Sequence, residues 1–97
     1  HQDDTWSRKT LRDELLGLPL MGMPIKITSS TNVNDIGIEG VIVYESVGLI
    51  HVRTVSGAIK RLLKPNIGMQ CRYRGKLLYM DGRLLSSTTI HRLKKLK

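Results

Sequence analysis

The chain contains no phenylalanine, one tryptophan, three tyrosines, three prolines and a single cysteine. Each shortage excludes something. With Cys71 alone, neither an intramolecular disulfide nor a cysteine-based zinc site can form, and a reducing compartment suits the chain. With Trp6, Tyr44, Tyr73 and Tyr79 as the whole aromatic complement, extended base-stacking platforms are thinly supplied. No apolar run approaches the roughly 20 residues needed to cross a bilayer, and no signal-peptide pattern is present, so a soluble protein without membrane attachment is expected. Glycine-rich phosphate cradles, zinc-ligand spacings and nucleophile motifs are missing as well. At 97 residues and 11.0 kDa there is room for one small core and not for a two-domain enzyme.

Acid is what the second half lacks most. Sixteen bases stand against eight acids, a net charge of +8, but residues 1–48 carry only Arg8, Lys9, Arg12 and Lys26 against seven acids. Residues 49–97 carry twelve bases and one acid, Asp81. A half this basic points to a polyanionic partner, which would be RNA, DNA or an anionic membrane surface. No helix-turn-helix pattern, zinc finger or long basic helix is present, which favours RNA.

The chain begins at His1 rather than Met, which suggests a trimmed or engineered end, and residues 1–5 carry no fold expectation. Ser7 to Leu16 reads as a short helix, capped by Ser7 and stopped by Gly17 and Pro19. From Ile25 the hydrophobic period becomes two, the mark of half-buried strands. Ile25 and Ile27 share a face, and in Ile36–Ser46 the residues Ile38, Ile42 and Tyr44 lie opposite Glu39, Val41 and Val43. Gly37 and Gly40 suggest a bulge or bend there. Further strands are predicted at Leu49–Val55, Ile59–Leu63, Met69–Arg74 and Leu77–Met80, with another at Arg83–Leu85. Short strands with regular turns predict an all-β fold, a small, strongly bent antiparallel barrel. Thr88–Lys97 reads as a basic helix or tail.

No catalytic constellation stands up. Of the three histidines, His1, His51 and His91, the last two read as solvent-facing or phosphate-adjacent side chains rather than general bases. Alternation across a strand points Met69, Cys71 and Tyr73 one way and Gln70, Arg72 and Arg74 the other. With Arg53, Lys60, Arg61 and Lys64 nearby, these cations form a patch able to follow phosphates. Tyr44 and Tyr73 fall on apolar alternations and read as core; Tyr79 reads equally as core or platform.

From Leu20 onward the order of features resembles the Sm-like barrel subunit of ribonuclease P found in archaea and eukaryotes, called RNase P protein component 1 in archaea. The resemblance is carried by Leu20, Gly22, Ile25, Ile27 and Ser29-Ser30-Thr31-Asn32. It continues through Ile36-Gly37-Ile38-Glu39-Gly40-Val41-Ile42-Val43-Tyr44-Glu45-Ser46, Lys64-Pro65 and Met80-Asp81-Gly82-Arg83-Leu84-Leu85, and spans about residues 14–97.

The resemblance implies an Sm-like barrel of about six strands over residues 20–86, preceded by an extension over 1–19 and followed by a basic segment over 87–97. It implies a non-catalytic, RNA-binding subunit of RNase P, in which the RNA removes the 5′ leader from precursor tRNA. No cofactor is expected on this chain, and magnesium ions are expected at the RNA. The partners implied are RNase P RNA, precursor tRNA in the holoenzyme and a zinc-ribbon protein subunit, with this chain monomeric on its own. The RNA contacts are expected at Arg53, Lys60, Arg61, Lys64, Arg72, Arg74, Lys76, Arg83, Arg92, Lys94 and Lys95. The protein partner is expected on the less basic side, at Leu11, Leu15, Leu16, Val41 and Val43. The location would be cytoplasmic for an archaeal-like chain and nuclear for a eukaryotic one. An Sm-like ring protein and a basic protein-docking module are the competing readings.

Overall fold

The computed structural model describes residues 7–86. Helix α1 spans Arg8–Leu15, and its cap is the predicted one: the Ser7 side chain accepts from the Thr10 backbone N–H at 3.2 Å, satisfying a donor that the helix itself leaves open. Leu11 and Leu15, one turn apart on one helix face, are fully buried, and α1 lies against the last strand.

Six strands follow: β1 Pro24–Ser30, β2 Glu39–Glu45, β3 Leu49–Thr54, β4 Ile59–Leu63, β5 Ile67–Tyr73 and β6 Lys76–Asp81. Short 3₁₀ turns at Val33–Asp35 and Lys64–Asn66 precede β2 and β5. The β5–β6 hairpin turns through Arg74 and Gly75, both at positive φ (52° and 79°), the requirement of the tight turn whose twist matches its strands.

All six strands form one antiparallel sheet in the order β4-β3-β2-β1-β5-β6. The strand count matches the expectation, but closure does not: β4 and β6 share no ladder. The segment that would extend the β6 end, predicted as a strand at Arg83–Leu85, is helical over residues 82–86. Asp81 caps it by accepting from the Arg83 N–H at 2.9 Å. Leu62 of β4 nevertheless shares one core with Leu78 and Met80 of β6, so the open sheet is rolled about a common interior. The alternation predicted for Ile25/Ile27 and Met69/Cys71 places those four residues in that core, where they are joined by Ile42, Ile50, Val52, Ile67, Leu78, Met80 and Leu85 among others.

The largest departure from simple alternation is in β2. Its ladder with β3 pairs Ile42 with Val52 and then Tyr44 with His51, leaving Val43 as the extra residue of a bulge. A bulge reverses which side chains face inward beyond it. Ile42 is buried, Tyr44 is therefore turned outward (46% exposed) rather than inward as predicted, and Glu45 is turned into the interior. A second irregularity lies where the glycines suggested one: Gly37 is at positive φ (96°), its N–H donates to the Ile27 carbonyl and the Ile27 N–H donates to the Ile38 carbonyl, whereas the bulge at Val43 has no glycine to mark it.

Candidate nucleic-acid interface

The sheet order divides the cations that the sequence suggested as one patch. Strand β5 pairs with β1 and β6, not with β4, so Arg53, Lys60 and Arg61 occupy one flank and Arg72, Arg74 and Lys76 the other. On the first flank, Arg53 of β3 lies opposite Ile59, and Arg61 of β4 lies opposite His51. Lys60 holds the inward register position opposite Val52, yet it is exposed near the start of an edge strand. Among the described residues, Arg53, Lys60, Arg61 and Arg72 are exposed and have no ion-pair partner.

The other cations expected at the RNA differ. Arg74 reaches across the fold to Glu14, with Nε 3.0 Å from Oε1, and its guanidinium lies 5.6 Å from the Tyr73 ring centre. Arg83 pairs with Asp81 at 3.3 Å; its backbone N–H holds the Asp81 carboxyl below the usual carboxylate range, with the guanidinium adding to the effect. Lys76 is half-buried at the start of β6. Arg92, Lys94 and Lys95 lie outside the described residues.

Lys64 is not on the surface. It is fully buried, and its Nζ donates to Glu45 Oε2 at 2.7 Å. The bulge at Val43 turns Glu45 inward, and the 3₁₀ turn places Lys64 opposite it. The charged pair is thus part of the interior. Leu11 and Leu15 are likewise unavailable to a protein partner, because they are core residues packed beneath α1. Leu16, Val41 and Val43 are half-buried.

Two features are not legible in the sequence. One is a cross-strand row on the β2–β3–β4 flank in which Tyr44 pairs with His51 and His51 with Arg61. The Tyr44 and His51 rings lie 4.8 Å apart, inclined at 44°. The other is a polar groove of about 350 Å³ between the ends of β1, β5 and β6, lined by Ser29, Asn66, Gly68, Tyr79, Asp81 and Arg83 among others. Tyr79 is half-exposed and its hydroxyl lies 3.1 Å from Ser29 Oγ; hydrogen bonding there lowers the phenol pKa from its ordinary value. Tyr73, in contrast, packs against the core.

The described residues contain no group of three or more histidine, cysteine or acidic side chains placed to hold a metal ion. Cys71 is buried, which pushes its thiol pKa up and disfavours the reactive thiolate. No helix among the described residues is long and apolar enough to cross a membrane. The chemistry the surface offers is ionic and aromatic contact.

Comparison with known proteins gives this surface a context. A search of the curated proteins found no match. Among solved structures, the chain is similar to Mth11, a homologue of human RNase P protein Rpp29, at 25% identity and a TM-score of 0.52, over 66% of this chain and 83% of that one. The family model for ribonuclease P/MRP, subunit p29, matches residues 13–95. That match takes in all six strands and most of the chain: this protein belongs to the ribonuclease P/MRP subunit p29 family.

Proposed function

We propose that this chain is a non-catalytic, RNA-binding subunit of ribonuclease P. It assists the catalytic RNA in removing the 5′ leader from precursor tRNA. The observation that carries the reading is the flank on which Arg53, Lys60 and Arg61 stand exposed, with no acid paired to them among the described residues. Such cations neutralise phosphates and release counterions, and interactions of this kind position a protein on RNA without reading its sequence. The magnesium ions of the reaction belong to the RNA in this reading.

The expected protein partner, a small zinc-ribbon subunit, meets the less basic first half. Since Leu11 and Leu15 are in the core, the exposed Val33 and Ile36 between β1 and β2 are the side chains that supply apolar surface there, beside half-buried Val41. The experiment is reconstitution: the full chain and the zinc-ribbon subunit are added to RNase P RNA, and precursor-tRNA cleavage is followed at limiting magnesium. Stimulation is expected, and its absence would overturn the proposal.

A further inference from the structure

We infer that the Tyr44–His51–Arg61 row holds an unpaired nucleotide, with its base stacked on Tyr44 and its phosphates held by Arg61 and Arg53. This inference rests on the RNA-binding reading and deepens it, from contact with phosphates in general to capture of a single-stranded base.

Four observations converge on the row. Tyr44 is one of only four aromatic residues in the chain, and the bulge at Val43 turns it to solvent, where it retains 46% exposure. Its neighbour across the ladder is another ring, His51, close enough to brace it but inclined at 44°, so that the two rings do not cover one another face to face. Arg61 continues the row on β4. Arg53 lies two residues along β3 from His51, about 6.6 Å of strand, and side chains two apart share a face.

The charge of the surroundings selects the occupant. The acid nearest to Tyr44 in the chain, Glu45, is turned inward against Lys64. Glu39, the exposed acid of β2, sits at the strand's opposite end. An exposed ring beside arginines, on a strand whose two acids are turned inward or held at its far end, suits a ligand with both a flat π-face and negative charge. A nucleobase on its sugar–phosphate chain has both. A paired base inside a duplex keeps its face covered, so the ligand is a loop, bulge or strand end.

The test uses the full chain and two RNAs of equal length: a stem–loop carrying 2-aminopurine in its loop, and a blunt duplex. Binding of the wild type should change the 2-aminopurine fluorescence. Tyr44→Leu should weaken stem–loop binding by roughly 10-fold, within the range that removal of one base–aromatic stack produces, and leave duplex binding unchanged. Tyr44→Phe should retain the wild-type affinity, and matching thermal melts would show both variants folded. The inference is overturned if Tyr44→Leu binds the stem–loop as tightly as the wild type, if both RNAs are weakened equally, or if only binding of a protein partner is lost. A wild type that bound neither RNA would overturn the RNA-binding reading itself, and this inference with it.

Discussion

Lys64 Nζ donates to Glu45 Oε2 at 2.7 Å, with both side chains withdrawn from solvent. An ion pair in a low-dielectric interior loses most of its hydration, and removing one member leaves the other charge buried. Lys64→Ala should therefore lower the unfolding free energy by about 3–5 kcal/mol, measured by urea denaturation. Replacing both members with apolar groups of similar volume, Glu45→Leu with Lys64→Met, should recover most of that stability. If the single variant proved as stable as the wild type, Lys64 would not be the structural residue its burial indicates.

The exposed flank predicts a salt dependence. Arg53→Gln, Lys60→Gln and Arg61→Gln combined should reduce RNA affinity and flatten the plot of log affinity against log salt by about 0.7–0.9 for each phosphate that is no longer neutralised. Arg83→Gln should change the slope less, because its guanidinium already lies against Asp81. Binding titrations at several salt concentrations decide this; an unchanged slope in the triple variant would remove the flank from the interface.

Gly82 is placed where the chain has no room. A Cβ there would run into the backbone carbonyl of Lys64 and come within 2.6 Å of that of Ile67. Backbone atoms cannot swing aside as a flexible side chain can, so Gly82→Ala should destabilise the fold by about 1–3 kcal/mol or more through overpacking. A thermal melt indistinguishable from wild type would contradict the close approach.

Asp81 makes stability depend on acid pH. Hydrogen bonds from the Arg83 backbone and side chain lower its pKa in the folded protein. The resulting stabilisation is present above the ordinary carboxylate pKa of about 3.9 and is lost as pH falls through the lowered folded value. Denaturation midpoints of wild type and Asp81→Asn should thus differ most at neutral pH and converge in acid. The effect should be small, because the Asp81–Arg83 pair is largely exposed.

Local signals in the sequence are accurate where one physical preference dominates. Ser7 caps α1 because a hydroxyl placed before a helix can accept an otherwise open N–H. Strand β4 falls at Ile59–Leu63 as predicted, and the period of two places Ile25, Ile27, Met69 and Cys71 in the core. Tyr44 and Lys64 are misplaced by such signals for related reasons. A bulge adds one residue without a dependable mark in composition, and every side chain beyond it changes face. A lysine in a basic stretch looks like its neighbours until a carboxylate from 19 positions earlier is brought against it.

By itself, the sequence determined the strand-rich class, the capped helix, the concentration of positive charge in the second half and the residues from which a core could be made, since these follow from local propensity, periodicity and composition. Only the tertiary structure decided that the six-stranded sheet stays open, that β4 and β5 carry their cations on separate flanks, and that Leu11, Leu15 and Lys64 are interior. The physical reason is that strand order, register and burial depend on partners distant in the chain. The same bulge that brings Glu45 inward to Lys64 turns Tyr44 out beside His51 and Arg61, and no pattern confined to one strand could have shown both.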